Sequence, residues 1–325
     1  MNVFGRSALA LLCGLAFALG TAPACAQRFP EKPMRIIVPF TPGAFNDTLA
    51  RVLAQKFQES WGQTVVVDNR PGGATLIGGE AAAKSAPDGH TLFIVAFPFA
   101  VVPSLYSKMP YDTLKDFVPV SFAAQSTNLL VVNPKLPIHS VKDLIANAKA
   151  SPGKLSYGST GPGSSNNLCM VLFMSMAGVE LTHVPYKGSA PMGTDLLGGH
   201  IDVAFDNAPN VLPHIKAGAL RALGATSVNR STFAPDIPTV AEAGVPGYEV
   251  AVWFGVVAPA GVPQDVLTKL NAEINRILAL PDVRRSFADQ GVEPVGGTRE
   301  QFGEHIKAQI EKWAKVVKEA GIRGE

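Results

Sequence analysis

Three glycine-rich turns hold the residues best suited to ligand chemistry: PFTPGAFND (39–47), YGSTGPGSSNN (157–167) and YKGSAP (186–191). Each follows an apolar run, and the first two open helical patterns. A helix start presents unpaired N–H groups and the positive end of the macrodipole. Glycine beside it lets the backbone come close to an anion. Two such starts facing one another can grip a carboxylate without a dedicated Arg or Lys. On pattern alone the bland alternative stays open, because every α/β fold has strand-to-helix loops.

Catalytic chemistry finds little support. The chain has no G-x-G-x-x-G and no G-x-x-x-x-G-K-[ST], and GSTGPGSS lacks the lysine of a phosphate loop. No serine has glycines two residues away on both sides, so there is no nucleophile elbow. The six histidines (90, 139, 183, 200, 214 and 305) are scattered without metal-ligand spacing. Asp47 and Asp206 each follow an apolar run and as a pair could do acid–base work. Asp47 reads better as the cap of the helix that follows. No enzyme activity, cofactor or metal is expected.

The elements that must position these turns alternate along the chain. Apolar runs at 34–40, 64–69, 91–97, 128–134, 154–159, 201–207 and 220–226 predict strands. Helical periodicity marks 47–61, where Leu49, Val52, Leu53 and Phe57 share a face, as well as 141–150, 167–177 and 266–280. The C-terminal part is mostly helical, with stretches at 264–280, 281–290 and 299–320. The stripe Ile306, Ile310, Trp313 and Val317 belongs to the last of them. This alternation predicts α/β architecture with largely parallel sheets.

Residues 1–26 stand apart. Arg6 precedes an apolar segment from Ala8 to Gly20 that is too short for a bilayer span, and Ala24-Cys25-Ala26 is a small-x-small cleavage site. This predicts a cleaved secretory leader. A lipid anchor at Cys25 is disfavoured by the Ala22-Pro23-Ala24 lead-in. After cleavage Cys169 is the one remaining cysteine, and on the apolar stretch CMVLFM it reads as a buried thiol. The formal net charge of the whole chain is +2, without any Lys/Arg cluster, which argues against nucleic acid and anionic membranes as partners.

Taken in order, IIVPFTPGAFNDTLAR, DNRPGGATLIGGEAAAKSAPDGHTL, YGSTGPGSSNN, HVPYKGSAP, DLLGGHIDVAFDN, PHIKAGALRAL, PTVAEAGVPGYE and FGVVAPAGVP resemble the Bug family. These are the extracytoplasmic solute-binding proteins of tripartite tricarboxylate transporters. The resemblance implies a two-domain periplasmic-binding-protein fold, type II-like, with the ligand enclosed in a cleft between α/β domains. The domains are expected at 27–127 with 248–325, and at 128–247. It further implies a periplasmic location, membrane transporter subunits as partners, and action as a monomer.

Carried over residue by residue, the first ligand loop is Phe40, Thr41, Pro42, Gly43, Ala44, Phe45, Asn46 and Asp47. The second is Ser159, Thr160, Gly161, Gly163, Ser164, Ser165 and Asn166. Tyr186, Lys187, Gly188 and Ser189 match another stretch lining the cleft, as do Asp206 and Asn207. Lys187 is either a counter-charge for a second carboxylate or an ordinary exposed lysine.

Two departures from the family pattern bear on specificity. Ala44 replaces the second glycine of Pro-Gly-Gly, which would be strained if that position needs a positive φ. Phe45 follows it, and Phe97-Pro98-Phe99 replaces a small, hydroxyl-rich stretch. With Trp253-Phe254 these rings either line the cleft or belong to the core. If they line it, they favour a carboxylate with an aromatic or long apolar body, terephthalate-like, over citrate or an acidic amino acid. A hydrolase lacks a visible nucleophile–base pair, whereas a ligand-sensing component for a receptor kinase would share this sequence.

Overall fold

A computed structural model of the protein describes residues 29–322. The leader read over residues 1–26 lies outside them. The compact unit beginning at Lys32 contains every strand and helix described below. Its strands are β1 (Met34–Val38), β2 (Val65–Asn69), β3 (Thr91–Ala96), β4 (Phe117–Ser126), β5 (Asn128–Val132), β6 (Ser156–Ser159), β7 (Thr182–Pro185), β8 (Val203–Asn207), β9 (Arg221–Ala225), β10 (Val252–Pro259) and β11 (Val292–Pro294). They form a six-stranded sheet, β11-β4-β10-β3-β1-β2, and a five-stranded sheet, β7-β6-β8-β5-β9.

The expectation of largely parallel sheets is corrected: both sheets are mixed. β1 runs parallel to β2 and β3, and β6 parallel to β7 and β8. β10, however, lies antiparallel between β3 and β4, and β5 lies antiparallel between β8 and β9. The cause is connectivity. The chain leaves the first sheet through β4, crosses at Thr127 into β5, and returns between β9 and β10. A strand that enters at the shared edge must run opposite to the strands that end there.

The same topology places the predicted loops. Ser126 at the end of β4 pairs with Val252 at the start of β10, and Ala96 at the end of β3 pairs with Phe254. Across the crossing, Asn128 at the start of β5 pairs with Asn207 at the end of β8. The carboxyl ends of β1, β3, β6 and β8 therefore all face the crossing point, and the loops that follow them border the groove between the sheets. The two crossing segments are tied together. Thr127 Oγ1 lies 3.2 Å from Thr226 Oγ1, Asn128 N donates to Thr226 Oγ1 at 3.1 Å, and Val250 N donates to Thr226 O at 2.8 Å.

The helices Phe45–Trp61, Val141–Ala150, Ser165–Ala177, Gln264–Leu278, Pro281–Ala288 and Arg299–Glu319 follow the predicted periodic stretches. Their burial explains the periodicity: Leu49, Leu53 and Phe57 are sealed beneath the first of them, and Ile306, Trp313 and Val317 beneath the last. Leu76–Ala83, Pro98–Leu105, Ser189–Gly198 and Ala208–Lys216 are also helical. Gly78-Gly79, Pro103, Gly193 and Pro213 break the signal within these four.

Candidate functional site

The first loop opens the helix Phe45–Trp61 from an extended Ala44, with φ −81° and ψ 163°. Ala44 is therefore unstrained, and the positive φ of the turn, 93°, falls on Gly43. The cap is Ala44, which corrects the assignment of that role to Asp47. Alanine has no side-chain oxygen, so no side chain caps the first N–H groups, and only the Ala44 carbonyl accepts from Asp47 N at 2.9 Å.

Asp47 instead sits one turn in and braces the loop. Its Oδ2 accepts from Gly43 N at 3.2 Å and from Arg51 Nε at 2.8 Å. Its Oδ1 accepts from Asn69 Nδ2 at 3.0 Å, which also donates to Phe40 O at 3.2 Å. The Arg51 hydrogen bond is the main reason its carboxyl titrates below the usual range. Asn46 is 7 % exposed, and its Oδ1 has no partner among the described residues. The first turn of this helix has no side-chain cap, and the N–H groups and dipole of such a start favour an anion.

The second loop follows β6 and is held by its own side chains. Ser164 caps the helix Ser165–Ala177, accepting from Asn167 N at 3.3 Å and donating to Gly161 O at 2.7 Å. Gly161 and Gly163 have φ of 107° and 76°. Ser159 Oγ accepts from Gly161 N at 3.1 Å and lies 2.6 Å from His183 Nε2. Burial depresses the His183 pKa, so a neutral imidazole accepting the Ser159 proton fits this pair. Thr160 Oγ1 donates to Asn166 Oδ1 at 2.9 Å, and Asn166 Nδ2 donates to Phe205 O at 2.8 Å and to Asp206 at 3.1 Å.

The third turn also opens a helix, Ser189–Gly198, capped by Gly188, which brings no side chain to the task. Tyr186 donates its hydroxyl to Asp195 at 2.7 Å; desolvation first, and then that carboxylate, push its pKa up to about 12. Lys187 is exposed and forms no ion pair among the described residues. Ser189 Oγ donates to Asp206 at 3.1 Å. Asn207 caps the helix Ala208–Lys216 without a side-chain bond, and its Oδ1 is a second buried carboxamide oxygen without a partner among the described residues.

The aromatic residues divide. Phe97 and Phe99 have core side chains, 1 % and 2 % exposed, with Phe97 edge-on to Trp313 at 4.8 Å and Phe99 packed on Phe117 at 5.6 Å. Trp253 is likewise fully buried, against Phe302. Phe45 is half-buried and meets Phe254 and Phe287. Sequence reasoning did not single out Asn69, Asn167, His183 or Asn210, although each bonds to a predicted site residue or spans its loop. The only signal for Asn69 was its place at the end of an apolar run, ahead of Arg70-Pro71.

Two mixed α/β halves joined by paired crossing segments, with helix starts bordering the groove between them, define a periplasmic-binding-protein-like solute receptor. No cluster of three or more His, Cys, Asp or Glu residues suited to a metal occurs among the described residues. The chain belongs to the family described as "Tripartite tricarboxylate transporter family receptor", which it matches over residues 49–322. It is 43% identical over 304 residues to Protein BugT of Bordetella pertussis, covering 93% of each chain. It is 42% identical over 313 residues to a protein of Pseudomonas sp. (strain P51) from the tcbD-tcbE intergenic region, covering 95% of this chain and 93% of that one. The solved structure of R. palustris Rpa4515 with adipate superposes with a TM-score of 0.82 at 41% identity, over 91% of this chain and 99% of that one. The protein is a solute-binding receptor rather than a catalyst, and its family is periplasmic.

Proposed function

We propose that this receptor captures a small dicarboxylate with an apolar spacer in the groove between its sheets and presents it to the membrane subunits of a tripartite transporter. The observation that carries the reading is the start of the helix Phe45–Trp61, which follows β1 at the crossing point and has no side-chain cap. Backbone N–H groups and the helix dipole favour an anion at such a place. The residues of the second loop and of the third turn, with Asp206 and Asn207, form the opposing wall. The adipate in the R. palustris relative supports a linear, apolar-bodied diacid. Phe45 is the residue that extends the range to a flat aromatic diacid such as terephthalate.

The domains divide in this reading at 127/128 and 247/248, and the protein works as an exported monomer whose leader is cleaved after Ala26. Sequencing the N-terminus of protein recovered from the periplasm tests the cleavage, and sedimentation tests the monomer. Ligand class is tested by thermal shift against adipate, terephthalate, citrate and glutamate, because a ligand that binds only the folded state raises its melting temperature. Adipate or terephthalate should stabilise the protein. A response to citrate or glutamate alone overturns the apolar-spacer reading.

A further inference from the structure

Asp206 is out of place in a site for anions. It lies near the end of β8 at the groove edge, 2 % exposed, and its hydrogen-bond donors are all neutral. Asn166 Nδ2, Ser189 Oγ and Asn210 Nδ2 at 3.1 Å and Asn207 N at 2.8 Å all converge on one oxygen, Oδ1. Oδ2 accepts none among the described residues. With Ser189 and Asn210, Asp206 borders a cavity of about 350 Å³ walled by Met192, Leu196 and Val211, a volume that suits a small ligand.

An ionised, buried carboxylate and an incoming carboxylate are two like charges in a medium of low polarity, where one of the pair is driven to take a proton. We propose that Asp206 takes one proton from solvent when a ligand carboxylate binds beside it, and that the new Oδ2–H donates a hydrogen bond to that carboxylate. One proton is consumed and no other bond breaks. The asymmetry of the bonding supports this: Oδ1, crowded with donors, serves as the carbonyl end, and Oδ2 is the end open to a proton. Burial already raises the Asp206 pKa, even against its hydrogen bonds. The proposal rests on the carboxylate reading of the groove.

The other titratable groups near it are few. His214 and Lys216 lie on the helix Ala208–Lys216, and His214 lines the same cavity. Asp195, on the helix Ser189–Gly198, is held by Tyr186, and Lys187 precedes that helix. His183 on β7 is bound to Ser159, and Tyr157 on β6 to Asn167. The helix Ser165–Ala177 and β5 contribute no charge.

Calorimetric titration with adipate and with terephthalate, at about pH 7 in buffers of high and low protonation enthalpy, counts the protons taken up. Binding should consume up to one proton per ligand and weaken by up to about tenfold per pH unit as pH rises. Asp206→Asn, whose Nδ2 replaces the Oδ2–H donor, should bind without uptake and with flat pH dependence. His214→Gln should keep the uptake. A buffer-independent heat in the wild type overturns the proposal, as does uptake that survives Asp206→Asn but vanishes in His214→Gln. The wild-type count and His214→Gln decide the matter even if Asp206→Asn fails to fold. No heat from either acid, in protein shown to be folded, rejects the carboxylate reading itself and takes this proposal with it.

Discussion

The ring of Phe45 lies 4.6 Å from that of Phe254, tilted by 59°, and 4.9 Å from that of Phe287, edge-on at 80°. The first residue of a groove-facing helix is thereby fixed against both β10 and the helix Pro281–Ala288. A half-buried ring held in this way is a rigid wall with surface to spare. Covering the rest of it with a flat ligand is worth about 1–2 kcal/mol, or roughly a tenfold change in affinity. Phe45→Ala should therefore weaken terephthalate by about that factor and adipate by less, as read by calorimetry. Equal losses for the two acids would return Phe45 to the scaffold.

Asp47 braces the same loop through three donors: Gly43 N, Arg51 Nε and Asn69 Nδ2. Asp47→Asn removes the charge and leaves donors facing a donor, at a cost of about 1–3 kcal/mol in urea denaturation near neutral pH. The folded pKa is depressed, first by the Arg51 hydrogen bond. Its contribution is therefore fully present above the unfolded carboxyl value of about 3.9 and is lost as pH falls through the folded value. The gap between wild type and variant should hold down to about pH 4 and then close. A gap that persists undiminished into stronger acid would assign the effect to packing.

The sequence made the helix starts legible, because glycine turns between an apolar run and a 3.6-residue period are local signals. It misplaced the cap of the first helix, since Asp47 is a good capping residue by type while the carboxylate was needed across the loop by Asn69, a partner distant in sequence. The mixed sheets were illegible for a related reason. β4 contains Pro119 and small residues, β10 is buried along its whole length, and their direction follows from the chain crossing twice. The aromatic residues show the limit most clearly. Phe45 and Phe97 look alike in sequence, yet one borders the groove loop and the other packs on Trp313, a residue from the far end of the chain.

Cys169 reads from its apolar stretch as a buried thiol, and it is fully buried, with Asn128 Nδ2 donating to its Sγ at 3.3 Å. Burial pushes its pKa up to about 12, so the reactive thiolate is scarce at neutral pH. A disulfide reagent should leave the native protein unlabelled and react at the rate of unfolding, rising in urea along with loss of structure. Fast labelling of folded protein, monitored by mass, would show that the thiol is reached through a local opening. Cys169→Ala should cost about 1–2 kcal/mol, the usual price of a small cavity.

Gly163 in the second loop meets Leu105, the last residue of the helix Pro98–Leu105, so closely that a Cβ at Gly163 would overlap its Cδ1. Gly163→Ala therefore carries two separable penalties. The φ of 76° costs about 1 kcal/mol for any L side chain, and the overlap adds about 1–3 kcal/mol of overpacking. Leu105→Ala relieves only the second. In a double-mutant cycle by urea denaturation, the pair should be more stable than the sum of the single changes predicts, with a coupling of about 1 kcal/mol or more. Ligand affinity should follow the same pattern, because the contact joins the half of the molecule built on the first sheet to the loop of the second. Simple additivity would mean that the two surfaces stand apart in the resting protein, and the whole penalty of Gly163→Ala would then reside in its backbone.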